Sequence, residues 1–528
     1  MRAINVLLAL AVSLLIAFGV FEGGLRLIGF APTKTLNQFD ENLGWVKRTD
    51  TATSRATDEY DVTFDINSLG LRDDPMTSPA KPEASFRVVC LGDSFTLGYT
   101  VEREDLFVDQ LERKWNAEGR KVDVINTGTE GYSTDQEAVW LLENGDAFQP
   151  DLVLLFPYDN DIYWNGQTSY FGTAKPRFDA AGNLDSPSPL ADTKEKGLDK
   201  SLAVANFLKS IFGKAPTDHT YTPSGGSKRI LMEHGALVAP ATDFMQDAVA
   251  RTGGALKALK AKCDALGARL VVAPIPSHSS TDSAYAEKFG PAALGLSSSS
   301  DWDPDLPVKT MLALCKDNGI DALDCRAALR AAAKETGQSM YFMRDWHLNP
   351  AGNLAFAKFL DRELGALGAF PEAHAASATS TFEDSRVIAA AAPSGMPPWM
   401  RNYLILWVIL TTIYFMTYDD EAKWLPPIKV GLMLGLIFSI VLGGQAALAA
   451  APPMVAQFAG IIFVLWLASF ILYKMGRRIA TILELLKAFT LRGHWYLMPL
   501  VVVLLSIGSL LVVAASSPLV APFIYTLF

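Results

Sequence analysis

The stretch VVCLGDSFTLGYTV, Val88 to Val101, decides how the chain is read. Five residues, Arg87 to Leu91, have the apolar, β-branched character of a buried strand, and Gly-Asp-Ser follows them directly. Two roles are open to Ser94. Asp and Ser favour helix N-caps, because their side-chain oxygens accept backbone N–H groups that have no partner in the first turn. A serine just beyond the carboxyl end of a sheet strand is also where an α/β protein places ligand chemistry. The stretch alone does not choose.

Working outward, four further runs share this strand character: Val122–Ile125, Leu152–Phe156, Arg269–Ala273 and Ile320–Leu323. Helical patterns separate them, as over Ala241–Leu266 and Val308–Asn318. Near-continuous apolar strands alternating with helices predict a five-stranded parallel sheet covered on both faces, an α/β/α sandwich.

A hydroxyl nucleophile needs a base, a group to orient that base, and donors for the oxyanion. The segments after the other strands supply them. NTGTEGYSTDQE (Asn126–Glu137) carries Gly128 and Gly131, which let backbone approach a ligand. FPYDNDIYW (Phe156–Trp164) carries Asn160, and MRDWHLNPAGN (Met343–Asn353) carries Asp345 and His347 ahead of a helix start. Of the six histidines, only His347 has an acidic residue two positions away and a Gly/Pro-marked helix behind it.

Taken together, these blocks resemble the SGNH, or GDSL-like, hydrolases over about residues 67–364. The resemblance implies Ser94 as nucleophile, His347 as general base and Asp345 as its orienter. It also implies an oxyanion hole of backbone N–H groups at Ser94 and Gly131 with the Asn160 side chain. Two departures stand out. Tyr158 occupies the glycine position of the third block, which implies a narrower or differently shaped cleft. The last block reads Asp-x-His, as in the AlgX/AlgJ-like branch, so a backbone carbonyl could orient the imidazole in place of Asp345. Position 96 is Thr where the α/β-hydrolase G-x-S-x-G elbow needs Gly.

The remainder of the 528 residues points to a membrane. Half the chain is hydrophobic, concentrated at the N-terminus and after residue 400. Ile4–Phe21 reads as a signal peptide or an uncleaved anchor, and the lack of a polar cleavage region favours the anchor. Runs near 402–418, 430–450, 454–473 and 496–515 approach the ~20 residues a membrane span requires. Lys423, Lys429, Lys474, Arg477, Arg478, Lys487 and Arg492 fall on one side of the resulting topology. By the positive-inside rule that side is cytoplasmic, so the globular region faces the periplasm or exterior of a bacterial inner membrane. Ile482–Trp495 reads either as a surface helix or as a continuation of its neighbour. The tail resembles short uncharacterised bacterial membrane proteins ending in APFIYTLF.

The expected organisation is therefore an anchor (1–25), a lead-in (26–80) and an SGNH-like domain (81–370) with an insertion at about 163–240. An Ala/Ser/Pro-rich linker (371–400) and a four-helix membrane region (401–528) follow. The net charge of −10, with no Lys/Arg stripe, argues against nucleic acid. No Cys/His grouping has metal spacing, and no cofactor is expected. A Cys315–Cys325 disulfide is conceivable in an oxidising compartment. The resulting expectation is an exported esterase or O-acyltransferase acting on a surface or secreted polysaccharide, with a membrane acyl-donor or polysaccharide-export protein as partner. A lipid-directed esterase and a non-catalytic glycan-binding platform are the alternatives.

Overall fold

The structure is a computed structural model. It describes residues 18–19, 21–23, 25–26, 36–57, 59–192, 202–205, 220–221, 230–239, 241–289, 301–382, 398–417, 422 and 424–449. The chain divides into two compact units. The larger comprises Lys34–Glu195 and Pro216–Ala392.

The larger unit opens with two antiparallel pairs: β1 (Asn37–Asp40) with β2 (Gly44–Lys47), and β3 (Thr51–Ala56) with β4 (Asp61–Ile66). The central sheet is built from β5 (Phe86–Gly92), β6 (Val122–Asn126), β7 (Leu152–Phe156), β12 (Arg269–Val272) and β13 (Asp321–Ala322). Its order is β13-β12-β7-β5-β6, and every pairing is parallel. The five strands fall where the sequence places them. Short pairs β8 (Ser169–Tyr170) with β9 (Thr173–Ala174), and β10 (Thr220–Tyr221) with β11 (Ile230–Leu231), lie between β7 and β12 in the chain.

Successive strand side chains point to opposite faces, so each strand feeds two cores. Val89, Leu91, Ile125, Val153, Leu155, Leu270 and Val272 enter one core. They meet helices Thr134–Phe148, Asp243–Leu266 and Leu306–Asp317 there. Val88, Cys90, Val122, Val124, Leu152, Leu154 and Val271 enter the other, with Phe107–Ala117, Arg326–Thr336 and Pro350–Ala366. All seven residues of β5 are buried, as the central strand of a doubly covered sheet requires. Cys90, Cys263, Cys315 and Cys325 are all free and buried, so the conceivable Cys315–Cys325 disulfide does not form.

The insertion at 163–240 differs from a polar loop at its start. Tyr163 and Trp164 are core residues of the short helix Asp161–Asn165.

In the smaller unit, Glu22 accepts backbone N–H groups of Ala203 and Val204 and pairs with Arg26. Helices Pro398–Thr417 and Leu425–Ala449 are joined by Tyr403 Oη donating to the Gly431 carbonyl (2.8 Å) and Trp407 Nε1 to that of Pro427 (2.7 Å). Among the described residues no helix is long and apolar enough to cross a membrane. The spans expected near 402–418 and 430–450 coincide with these two helices, but membrane crossing is not shown for them. Most of the Ile4–Phe21 anchor, the spans near 454–473 and 496–515, the Ile482–Trp495 segment and the tail lie outside the described residues.

Candidate active site

Ser94 opens a single helical turn, Ser94–Leu97, directly after β5. It is not the cap. Asp93 is the N-cap, and its carboxylate accepts the Phe95 N–H at 2.8 Å. Burial pushes the Asp93 carboxyl up to about 6, against the opposing pull of the Phe95 N–H and the nearby His347 charge. The capping role and the serine hydroxyl therefore belong to neighbouring residues.

Ser94 Oγ lies 2.7 Å from His347 Nε2, and His347 Nδ1 lies 2.5 Å from Asp345 Oδ1. The Asp345 carbonyl is also near Nδ1, but at 3.3 Å, so the carboxylate is the closer partner. One intervening residue is enough because Trp346 takes a left-handed φ of +67°, which turns the chain between the two side chains. The loop is closed by Phe342 N–H donating to the His347 carbonyl (2.9 Å) and by a bridge between Tyr341 and Leu348. Asn349 then caps the helix Pro350–Ala366 by accepting the Gly352 N–H.

The outer carboxylate oxygen of Asp345 is held by residues that the sequence analysis did not single out. Tyr60 Oη donates to Oδ2, and Arg55 Nη2 donates to the same oxygen at 3.1 Å. The Glu59 carboxylate accepts the backbone N–H groups of Met343, Arg344 and Asp345. All three residues lie at the β3–β4 end of the lead-in. Burial alone would raise the Asp345 carboxyl. The hydrogen bond and charge of His347, the Tyr60 hydroxyl and the Arg55 charge outweigh it and hold the group at about 2. Arg72, fully buried, ties this hairpin to the serine turn: its guanidinium donates to the carbonyls of Thr63, Leu97, Gly98 and Val101.

The loops after β6 and β7 flank Ser94, because those strands are the two neighbours of β5. After β6, Thr127 and Thr129 N–H groups donate to the Cys90 and Gly92 carbonyls, both at 3.1 Å, so the loop continues the parallel ladder beside the serine. A Cβ at Gly128 would stand 2.2 Å from the Leu97 nitrogen, so only glycine fits. Asn126 is structural: its amide donates to the Thr96 carbonyl and accepts the Gly128 N–H. Gly131 has φ +75°, and a Cβ there would stand 2.8 Å from the Tyr170 ring. After β7, Asn160 precedes the helix Asp161–Asn165 and its side chain makes no capping bond. Tyr158 packs at a tilt against Phe95, with ring centroids 4.5 Å apart, and Phe95 in turn lies 4.5 Å from the imidazole. The tyrosine at the family's glycine position thus extends an aromatic wall behind His347.

Among the described residues, no group of three or more His, Cys, Asp or Glu is arranged to hold a metal ion.

Residues 237–395 match the family described as SGNH hydrolase-like domain, acetyltransferase AlgX. That segment contains Asp345 and His347. Residues 479–528 match a family of unknown function, DUF5989. No curated protein matches the chain in sequence. Similar solved structures include the acetyl xylan esterase AlAXEase, with 14% identity over 53% of this chain and 100% of that one, at a TM-score of 0.29. Another is a catalytic mutant of Axe2, an acetylxylan esterase from Geobacillus stearothermophilus, with 13% identity over 54% and 97%, at 0.30. Scores this low carry no argument, and the fold rests on the sheet order itself. Over residues 237–395 the chain carries an SGNH hydrolase-like domain of the acetyltransferase kind.

Proposed function

We propose that Ser94, His347 and Asp345 are the catalytic residues of an acyl-transfer enzyme acting on O-acyl groups of a surface or secreted polysaccharide. The observation that carries this is the unbroken hydrogen-bonded chain from Ser94 Oγ through the imidazole to Asp345. In the first half-reaction, His347 Nε2 takes the Ser94 proton while Oγ bonds to the ester carbonyl carbon. The carbonyl oxygen becomes an oxyanion, for which the N–H groups of Ser94 and Gly131 and the Asn160 amide are the proposed donors. When the C–O bond to the sugar breaks, the His347 proton goes to the departing alkoxide. Water or a second hydroxyl then enters by the reverse sequence, giving hydrolysis or transfer.

The match to an acetyltransferase domain supports the acyl chemistry; the polysaccharide rests on the AlgX/AlgJ-like resemblance of the sequence. We further propose anchoring in a bacterial inner membrane, with the catalytic unit on the periplasmic or exterior side. The apolar runs and the asymmetry of Lys and Arg in the sequence support it. An acyl-donor or polysaccharide-export protein of the same membrane is the proposed partner.

The test uses the full chain in detergent, 4-nitrophenyl acetate, and the variants Ser94→Ala and His347→Ala. Turnover by the parent and background rates in both variants are expected. A parent rate unchanged by Ser94→Ala would rule out this serine as nucleophile.

A further inference from the structure

Two aromatic side chains near the site stay exposed in strained backbone. β8 and β9 are joined by a two-residue turn, Phe171-Gly172, with φ +43° and +83°. That is the pattern of a type I′ turn, in which Asn-Gly is the favoured pair. Phe171 is 58% exposed, with its ring against Trp164 (5.2 Å) and Tyr170 (4.7 Å). Tyr170 is the ring that covers Gly131. On the other loop, Trp346 is 41% exposed at φ +67°, between Asp345 and His347.

Among the described residues of this unit, Phe171 and Trp346 are the two exposed Phe or Trp side chains. The other non-glycine residues at positive φ are Asp50, Ala84, Lys121 and Gln149, all small or polar. A bulky residue at positive φ is strained, and such strain concentrates at ligand sites. Here both strained aromatics also stay exposed; Trp346 stands between Asp345 and His347, and Phe171 packs on Tyr170, the ring that covers Gly131.

We propose that Phe171 and Trp346 are stacking platforms for the pyranose rings of a carbohydrate that carries the scissile acyl group. The proposal rests on the acyl-transfer reading above. A pyranose has an apolar C–H face and a rim of hydroxyls. It suits a flat ring set among polar groups, as Phe171 is beside Thr168 and Ser169, and Trp346 beside Arg344 and Asp345.

The test measures binding and needs no turnover. Full chain carrying Ser94→Ala, in detergent, is titrated with O-acetylated xylohexaose and O-acetylated mannohexaose by calorimetry. Binding of at least one is expected. Adding Phe171→Asn should weaken it by about tenfold or more, the scale of one lost aromatic contact. The same change should leave Tm equal or higher, because Asn suits the turn. Phe171→Tyr should restore binding, and Trp346→Asn should weaken it. Binding and stability moving in opposite directions separates a ligand platform from a packing role. The proposal is overturned by binding of neither sugar, by unchanged affinity in Phe171→Asn, or by a fall in Tm that accompanies the loss. Octanoate binding that depends on Phe171 would identify an acyl subsite and overturn it equally. A chain that binds sugar through Phe171 yet never turns over an ester would sink the serine chemistry and leave this proposal standing.

Discussion

Tyr60→Phe tests whether the lead-in hairpin belongs to the catalytic machinery. The change deletes one hydroxyl that donates to Asp345 Oδ2 and leaves the ring against Phe342, at 5.2 Å. A hydrogen bond to an ionised group contributes about 1.5–3 kcal/mol. Arg55 still holds the same oxygen at 3.1 Å, and Glu59 still holds the backbone of Asp345, so the loss falls at or just below the bottom of that range. A loss of about 1–1.5 kcal/mol in transition-state stabilisation is roughly 5- to 13-fold in kcat. The double variant Tyr60→Phe/Arg55→Met removes both donors to Oδ2 and should cost about 2–4 kcal/mol, a fall of roughly 30- to 900-fold. The assay is steady-state turnover of 4-nitrophenyl acetate, with Tm measured alongside. An orienting role lowers kcat at nearly constant KM, and by much more than any change in Tm accounts for. If both variants keep kcat within twofold of the parent, the Asp345–His347 geometry does not depend on this hairpin, and the reasoning fails.

Other consequences are open to direct measurement. Burial raises the carboxyls of Asp73 and Asp159 to about 7 and that of Glu112 to about 8. Such groups favour the folded state fully below their unfolded values and lose that contribution as pH rises through the folded ones, at about 1.4 kcal/mol per unit per group. Tm should therefore fall from pH 5 to pH 8. Glu112→Gln, which can still accept the Val124 N–H, should flatten the curve, and an unchanged slope would contradict the assignment. Asp345 has the opposite sign: held at about 2, it stabilises the fold above pH 4, and that contribution disappears between about pH 4 and 2. Asp345→Ala should accordingly remove part of the acid limb of a Tm-versus-pH curve. Lys175 is fully buried and paired with Asp135, so Lys175→Met should destabilise by about 3–5 kcal/mol, read by chemical denaturation. The four thiols are buried, and burial pushes those of Cys263 and Cys315 up to about 12; a thiol reagent should find none until the unit unfolds.

The sheet was legible because a doubly covered parallel strand is mostly apolar, as β7 is throughout and β5 is from Val88 to Leu91. Ser94, Asp345 and His347 were legible for a different reason: they sit in short blocks whose glycines and asparagines are fixed by close backbone approach, as at Gly128. Arg55, Glu59 and Tyr60 carried no such mark. Their contacts cross 285 to 290 residues of chain, and nothing local in a polar β-hairpin says that its far end will meet a histidine loop. Asp93 and Ser94 both suit an N-cap by residue type, and only the backbone geometry gives the cap to Asp93. The aromatic cluster that opens the 163–240 insertion, with Trp164, Tyr170 and Phe171, was not singled out from the sequence.

The distance along the chain between serine and base has a consequence for biosynthesis. Ser94 leaves the ribosome 253 residues before His347, and Asp345 arrives only just ahead of the histidine. The nascent polypeptide thus carries its hydroxyl without a proton acceptor for most of its elongation. On the roles proposed above, reactivity begins only when the loop Tyr341–Leu348 closes on a hairpin made near the start. If Ser94 and His347 act as proposed, chains that terminate before His347 lack the base and are inert.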